Sequence, residues 1–317
     1  MTEQLLNALS QAFPQKQILQ NAPMSRYTTL RLGGPADVLV EVADGRQLSA
    51  AITIARELDV PVMVLGNGSN LLVRDGGIRG LVIHLGDLFA EISEPAPLPD
   101  GRFALTAQAG APLQKLANRA ADAALTGLEF AGGIPGTVGG AVYMNAGAYG
   151  GEMKDVVSGI TAVTHTGETV SFSAQELDLS YRHSRLSQLP QPCVAASVTV
   201  TLQPGDRDTI RAAMRELNAR RREKQPLTLP SCGSTFKRPE GQFAGTLIEQ
   251  CGLKGARVGG ASVSTLHAGF LVNDRQGTAA DYLALIAHVQ KTVFDQTGVR
   301  LEPEVRIIGE ENPAQII

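Results

Sequence analysis

A glycine-rich stretch at residues 127–151 places the strongest constraint on how this chain can fold. It reads GLEFAGGIPGTVGGAVYMNAGAYGG, with nine glycines and one proline in 25 residues. Its apolar residues, which include Ile134, Val138 and Val142, favour burial and argue against a flexible linker. Glycine permits close backbone approach, and a run of uncovered amide groups can bind anionic oxygens. The stretch therefore predicts either a wall for a large phosphate-bearing ligand or a tightly packed, turn-rich core segment, and its glycine content favours neither.

A second glycine loop, GNGSN at residues 66–70, directly follows the buried apolar run PVMVL. It lacks the third glycine of the dinucleotide fingerprint, and a predicted strand follows it where that fingerprint requires a helix. It also lacks the lysine of a Walker loop. A Rossmann fold and a P-loop nucleotide site are therefore both excluded.

Charge and composition exclude several further classes of protein. The 317 residues carry a net charge of −3 and no Trp, which disfavours a nucleic-acid partner. No apolar run approaches the ~20 residues that cross a bilayer, and the N-terminus does not resemble a signal peptide. We therefore expect no membrane association and a cytoplasmic location. Three widely spaced cysteines and five scattered histidines predict a reducing environment and no metal site.

Hydrophobic periodicity predicts a chain of mixed helices and strands. After a leading helix, helices are predicted at 45–60, 111–125, 209–222, 243–251 and 278–298, the last capped by Thr278 and closed by Gly298. Strands are predicted within 27–44, 61–65, 71–85, 103–110, 159–173, 193–202, 262–274 and 301–309.

The length suits two or three domains. Polar connectors near residues 91–102 and 203–208 divide the chain into parts at 1–90, 91–205 and 206–302. The closing segment, 303–317, is a candidate to return to the first part.

Three residues, Arg182, Ser234 and Glu304, are candidates for chemistry because of their neighbours. Each also has a plain structural explanation. An arginine near a strand end often forms a surface ion pair, a serine beside a glycine often forms a turn, and a glutamate in a strand often faces solvent. Only their combination with the two glycine loops favours a functional role.

Two other features have competing explanations. The basic run at 220–224 either stabilises a helix C-terminus or clamps a diphosphate. Cys232 is either a small buried residue or a thiol nucleophile with His267 as its base, and the first explanation is favoured.

Seven motifs together resemble one family. They occur in the order RLGGPADV, LGNGSNLLV, AGGIPGTVGGAVYMNAGAYG, YRHSR, SCGSTFKRP, HAGFLVN and EPEVRIIG, between about residue 20 and residue 309. The chain resembles the UDP-N-acetylenolpyruvoylglucosamine reductases, which act second in bacterial peptidoglycan precursor synthesis.

The resemblance implies a two-part FAD-binding domain of the vanillyl-alcohol-oxidase type, followed by an α+β substrate-binding domain. It implies non-covalent FAD, with NADPH as electron donor and UDP-N-acetylglucosamine enolpyruvate as the substrate that is reduced to UDP-N-acetylmuramate. Hydride delivery to C3 pushes negative charge onto C2 and the carboxylate, which calls for a fixed cation and a proton donor.

The resemblance also implies roles for single residues. Arg182 would bind the carboxylate, Ser234 would protonate C2, and Glu304 would be the third catalytic residue. The residues expected to bind FAD are Gly66, Asn67, Gly68, Ser69, Asn70, Gly133, Ile134, Pro135, Gly136, Val138, Gly139, Asn145, Gly147 and Arg306. The residues expected to bind substrate are Tyr181, Arg220, Lys224 and Arg238.

The chain departs from the longer form of the family, which has an extra loop with a tyrosine that closes over the nucleotide. Only 42 positions (224 − 182) separate Arg182 from Lys224, which predicts the shorter form without that loop. Arg238 stands where the longer form has an amide residue.

Two other functions stay open at this point. A flavin oxidase of small hydroxy acids or sugars would keep the fold, but it would need an O₂-reactive flavin and usually a base at position 234. A UDP-sugar or flavin-binding regulatory module would have lost turnover, and the joint presence of Arg182, Ser234 and Glu304 argues against it. We expect a monomer.

Overall fold

The structure is a computed structural model of the chain, and it describes residues 2–311. Part of the predicted returning segment 303–317, from residue 312 onward, lies outside the described residues. The helices are α1 (Thr2–Ala12), α2 (Gly45–Glu57), α3 (Leu113–Asp122), α4 (Val138–Tyr143), α5 (Arg207–Lys224), α6 (Ala244–Gln250) and α7 (Ala279–Thr297).

Most strands are short, and the two long ones lie in the second third of the chain. They are β1 (Ile18–Pro23), β2 (Pro35–Glu41), β3 (Val62–Leu65), β4 (Leu71–Val73), β5 (Ile78–His84), β6 (Ala96–Pro97), β7 (Phe103–Gln108), β8 (Leu125–Thr126), β9 (Gly147–Ala148), β10 (Gly151–Glu152), β11 (Val157–Thr164), β12 (Thr169–Ser173), β13 (Cys193–Pro204), β14 (Arg257–Val258), β15 (Ala261–Val263), β16 (Leu271–Asn273) and β17 (Arg306–Ile308). The predicted α+β class is confirmed.

The described chain forms two compact units. One comprises residues 2–19, 38–67 and 80–221, and the other comprises 20–37, 68–79 and 222–311. The three-part division inferred from the sequence stays a prediction. Among residues 2–311, no helix combines the length and the apolar character needed to cross a membrane.

The first unit is built around a mostly antiparallel sheet in the order β12-β11-β13-β7-β6. Strand β13 alternates as the sequence predicts, burying Val198, Val200 and Leu202 on one side. A further sheet has the order β1-β2-β5-β3, and its β3 and β5 run parallel. One continuous apolar core joins the buried faces of α1, α2 and α3 to the strands of this unit.

The second unit is built around α7, whose buried face includes Tyr282, Leu285 and Val289. Strands β14, β15 and β16 form a small antiparallel sheet. Strand β17 pairs in parallel with β4, so the described end of the chain lies beside residues 71–73.

The strand predicted at the start of 27–44 is wrong. Residues there form turns, and the Arg31 amide donates to the Thr28 carbonyl at 3.1 Å. The hydroxyl of Thr28 donates to the Leu32 carbonyl at 2.9 Å, and that of Thr29 to the Ser231 carbonyl at 2.6 Å. The local bond of Thr28 competes with a strand ladder, and the bond of Thr29 ties the turn to a distant segment.

The single strand predicted at 262–274 is also wrong, because it is divided between β15 and β16. Ser264 Oγ accepts hydrogen bonds from the amides of Leu266 at 3.2 Å and His267 at 3.3 Å. These bonds close a turn that interrupts the strand.

The N-terminus of α7 is fully capped, as its sequence predicts. Thr278 Oγ1 accepts from the Asp281 amide at 3.1 Å, and Asp281 Oδ2 accepts from the Thr278 amide at 3.0 Å. The Asp75 carboxylate accepts from the amides of Ala279 and Ala280, each at 2.9 Å.

We expect Thr278→Ala to lower the free energy of unfolding by about 1 kcal/mol, because it removes one acceptor of a capping box. Thr278→Ser keeps that acceptor and should stay within a few tenths of the wild-type value. Urea denaturation followed by circular dichroism measures both, and equal stabilities for the two variants would contradict the assignment.

Candidate active site

The glycine-rich stretch folds as a 3-10 turn at Glu129–Gly133, then α4, then the small hairpin of β9 and β10. The amides of Val138 and Gly139 donate to the carbonyls of Ala111 and Ala109, each at 2.8 Å. A Cβ atom on Gly139 would lie 2.7 Å from the Cβ of Ala109. This part of the stretch is therefore packed backbone, and its glycine is required by close approach.

Within the first unit, the start of the GNGSN loop lies against the turn before α4. A Cβ on Gly66 would lie 2.4 Å from Oγ1 of Thr137, the residue that caps α4. Asn67 Nδ2 donates to the Pro135 carbonyl at 2.5 Å. The structure thus brings Gly66 and Asn67 together with 134–137, and both segments were predicted to bind the cofactor.

Helix α5 lies against the first glycines of the stretch. A Cβ on Gly133 would lie 2.5 Å from Asn218 Oδ1 and 3.0 Å from Arg221 Cδ, and one on Gly132 would lie 2.9 Å from Met214 Cε. A side chain larger than glycine at either position would displace these side chains of α5.

Arg221 is a functional candidate that lies in the basic run 220–224 but was not singled out from the sequence. Its Nε is buried, and within residues 2–311 no hydrogen-bond partner for it is found. Burial lowers the pKa of its guanidinium, although an arginine keeps its charge at neutral pH. Arg220, which was predicted to bind substrate, instead pairs with Glu216 on the exposed side of α5.

A helical spacing could have identified Arg221. Met214, Asn218 and Arg221 stand at positions i, i+4 and i+7, which share one face of a helix. Met214 is apolar, which indicates the face of the helix that packs against the protein. Arg221 lies on that same face.

Asn145 supports the loop that carries Arg182. It is 2% exposed, and its Oδ1 accepts from the Lys154 amide at 2.9 Å. Its Nδ2 donates to Glu152 Oε2 at 2.5 Å and to the Ser180 carbonyl at 3.1 Å. The polar atoms of Asn145 are therefore used within the protein, and its contact with a cofactor stays a prediction.

The loop itself is a tight turn. The Ser180 amide donates to the His183 carbonyl at 3.2 Å, and the His183 amide donates back at 3.1 Å. Arg182 lies at the tip with a φ of 54°, in the left-handed region. Ser184 is fully buried and donates to the Tyr143 carbonyl at 2.8 Å, whereas Tyr181 is 58% exposed.

The positive charge of Arg182 helps to lower the pKa of Glu152. A hydrogen bond from Lys154, then one from Asn145, and the charges of Lys154 and Arg182 hold the pKa of Glu152 below its usual value. The Arg182 loop is therefore linked to the hairpin of the glycine-rich stretch by both hydrogen bonds and charge.

In the second unit, Ser234 and Glu304 are brought together through Thr235. The Glu304 amide donates to the Thr235 carbonyl at 2.8 Å. Asn70 Nδ2 donates to the Glu304 carbonyl at 3.2 Å, and the Arg306 amide donates to the Asn70 carbonyl at 3.0 Å. Thr235, which follows Ser234 in the chain, thus lies in one hydrogen-bonded cluster with Glu304, Asn70 and Arg306.

Gly68, also in the second unit, has a φ of 59° and is packed against backbone. A Cβ there would lie 2.1 Å from the Tyr27 carbonyl oxygen. Both facts require glycine at this position of the loop.

The remaining predicted substrate residues are exposed. Lys224 ends α5, and Arg238 places its guanidinium 4.6 Å from the ring centroid of Phe243. Cys232 is buried, and desolvation raises the pKa of its thiol to about 11, which argues against a nucleophile. Within residues 2–311, no cluster of three or more His, Cys, Asp or Glu side chains could hold a metal ion.

We expect Asn145→Ala to lower the free energy of unfolding by about 2 kcal/mol, because it leaves buried groups without partners. Asn145→Asp should cost more near pH 7 than near pH 5, since its carboxylate would face that of Glu152. Asn118, which is exposed and accepts from Arg211, gives a control in Asn118→Ala that should change stability by less than about 0.5 kcal/mol. Urea denaturation at the two pH values tests all three variants, and an Asn145→Ala as mild as the control would contradict the supporting role.

Comparison with known proteins agrees with this arrangement. A family model described as FAD binding domain matches residues 36–173, and one described as UDP-N-acetylenolpyruvoylglucosamine reductase, C-terminal domain, matches 225–308. These matches confirm an FAD-binding region followed by a second domain.

Curated proteins and a solved structure extend the likeness over nearly the whole chain. The UDP-N-acetylenolpyruvoylglucosamine reductase of Agathobacter rectalis is 50% identical, covering 98% of this chain and 100% of its own length. That of Exiguobacterium sibiricum is 48% identical, covering 98% and 99%. The crystal structure of the Thermus caldophilus enzyme, 36% identical, has a TM-score of 0.76 over 92% of this chain and 97% of its own. The chain belongs to the UDP-N-acetylenolpyruvoylglucosamine reductase family.

Proposed function

We propose that this protein uses NADPH and non-covalent FAD to reduce UDP-N-acetylglucosamine enolpyruvate to UDP-N-acetylmuramate. The observation that carries the proposal is the backbone bond from the Glu304 amide to the carbonyl of Thr235, the residue next to Ser234. A hydroxyl donor and a carboxyl residue on two segments joined in this way suit the protonation of a carbon next to a carboxylate. Family membership supports the same reaction.

The residues of the first unit fit FAD. Arg221 presents a partly buried cation beside Gly133, and this suits an anionic or electron-rich group. The missing side chain of Gly66 lets its backbone lie directly against Thr137, so the loop packs closely on the turn before α4. When bound, FAD would take hydride from NADPH and deliver it to C3 of the enolpyruvyl group.

Arg182 would bind the substrate carboxylate. Hydride addition at C3 spreads negative charge over C2 and the carboxylate, and a fixed guanidinium stabilises that charge best when it needs no reorganisation. The left-handed backbone of Arg182 is a constrained conformation, and the bonds between Ser180 and His183 hold it. The loop is therefore organised in advance of binding.

Ser234 would give its proton to C2 and regain one from water. Serine is a weak acid, and it can act here only because the carbanionic centre is far more basic. Glu304 would complete the carboxylate environment, in a place fixed by Thr235 and Asn70.

The nucleotide end of the substrate would contact Tyr181, Lys224 and Arg238, all of which are exposed. The proposal that Arg220 also contacts the substrate is weaker, because Arg220 already pairs with Glu216. We further propose a cytoplasmic monomer that needs no nucleic-acid or membrane partner.

We expect Ser234→Ala to keep the rate of FAD reduction by NADPH but to lower the rate of reoxidation by the UDP-sugar by at least about 100-fold, because the proton donor is lost. Anaerobic stopped-flow absorbance of the flavin measures both rates separately. The matched control is Ser231→Ala in the same loop, since the carbonyl of Ser231, which accepts from the Thr29 hydroxyl, is kept in that variant.

Wild-type rates in Ser234→Ala would overturn the role of Ser234. Fast reoxidation of the wild-type protein by air without any UDP-sugar would instead favour an oxidase. The two results are separable because oxygen is excluded from the first measurement.

We also expect Arg221→Met to weaken FAD binding by about 10-fold or more, since a buried cation contacting an anionic ligand contributes about 1.5–3 kcal/mol. Arg220→Met is the matched control on the exposed side of the same helix and should bind FAD like the wild type. Fluorescence titration of the apoprotein with FAD measures the dissociation constants, and equal losses in both variants would contradict the assignment.

A further inference from the structure

Behind Ser234 lies a buried polar network that the proposed reaction does not use. Its members are Cys232, Thr235 and Tyr282, and they are 3%, 0% and 0% exposed. The Tyr282 hydroxyl, from α7, is 3.3 Å from Cys232 Sγ and 3.1 Å from Thr235 Oγ1. It also donates to the Leu271 carbonyl at 3.2 Å.

One arrangement of protons satisfies every member of the network. The carbonyl of Leu271 can only accept, so it takes the single proton of Tyr282. The Tyr282 oxygen can then accept from the hydroxyl of Thr235 and the thiol of Cys232. The Leu271 amide donates to Thr235 Oγ1 at 3.3 Å, which uses the acceptor side of that hydroxyl.

The two residues that bond to Tyr282 flank Gly233 and Ser234 on both sides. Gly233 has a φ of 79°, and a Cβ added there would meet nothing within 4 Å. A side chain at Gly233 would therefore have no packing partner. The residues on both sides of Gly233 and Ser234 are held by the same hydroxyl group.

Thr235 also holds the backbone of Glu304. Its amide donates to the Gly269 carbonyl at 2.9 Å, and its carbonyl accepts from the Glu304 amide at 2.8 Å. The negative charge of Glu304 is among the influences that raise the pKa of Cys232, after desolvation, so this carboxylate lies near the network.

We propose that the Tyr282 hydroxyl is a positioning group for the proton transfer step, acting through Cys232 and Thr235 to fix the Ser234 hydroxyl and the Glu304 backbone. This inference rests on the proposed function. Proton transfer requires the donor within hydrogen-bond reach, and a displacement of about 1 Å can cost about 100-fold in rate.

Tyr282→Phe removes the hydroxyl and keeps the ring. We expect the rate of FAD reduction by NADPH to be unchanged and the rate of reoxidation by the UDP-sugar to fall by about 10-fold to 100-fold. Because proton transfer then limits reoxidation, the solvent deuterium isotope effect on that rate should rise above the wild-type value. A merely structural role would lower the melting temperature without changing this isotope effect in the folded holoenzyme.

Thr235 provides a second, independent test. Thr235→Val keeps the shape and loses the hydroxyl, so reoxidation should slow as in Tyr282→Phe, whereas Thr235→Ser keeps the hydroxyl and should retain the wild-type rate. If Tyr282→Phe does not fold, the comparison of Thr235→Val with Thr235→Ser still tests the inference. Thr297→Val is the control, since it deletes a hydroxyl that bonds to the Val293 carbonyl at 2.7 Å near the other end of α7.

Wild-type reoxidation in both Tyr282→Phe and Thr235→Val would overturn the inference while leaving the proposed function intact. A wild-type holoenzyme that the UDP-sugar does not reoxidise would overturn the proposed function and the inference with it. If Tyr282→Phe and Thr235→Val each lost both reduction by NADPH and reoxidation by the UDP-sugar, the inference would also be overturned. Positioning of Ser234 has no part in reduction by NADPH.

Discussion

Close packing that leaves no room for a Cβ atom shapes the GNGSN loop in each unit. In the first unit Gly66 lies against Thr137, and in the second Gly68 lies against the Tyr27 carbonyl. These two glycines belong to one loop of five residues, and each is required by packing within its own unit. A side chain at either position would therefore disturb the loop.

Polar residues that touch no ligand complete this arrangement. Asn145 uses both of its donor protons and its acceptor to hold the turn beneath Arg182. Thr235 uses its amide, carbonyl and hydroxyl to hold the segments around Ser234 and Glu304. Each of these residues is nearly inaccessible to water, where an unpaired polar group costs about 1–3 kcal/mol. That cost makes the native hydrogen-bond pattern strongly preferred over alternatives.

The sequence predicts elements whose signals are local. Helix α7 is given by its apolar spacing, its Thr278 cap and its closing Gly298, which has a φ of 73°. Helix α4 was missed, because its six residues lie in a glycine-rich stretch where helix propensity is low. The wrong strand at the start of 27–44 shows the same limit, since a hydroxyl bond from Thr29 to residue 231 decides that conformation.

The prediction of site residues from the sequence has a similar limit. Motif residues such as Ser234 were found because their neighbours form a recognisable pattern, and their catalytic roles stay predictions. Supporting residues had no such signal, because their partners are distant: Asn145 bonds to Ser180, 35 residues away, and Thr235 contacts Tyr282, 47 residues away. Arg221 is intermediate, since its helical register was readable but nothing in the sequence showed that Gly133 would lie on that face.

The supports of the two units differ in charge, and the difference bears on pH and salt. Around Asn145 the partly exposed pair of Lys154 and Glu152 contributes, so this support weakens as salt screens the pair. The three side chains of the Tyr282 network are neutral, because burial raises the pKa of Cys232 to about 11 and that of Tyr282 well above its usual value. No member of that network changes charge between pH 5 and pH 9. The network that holds the proton donor therefore adds no titration of its own to the proton transfer step in that range.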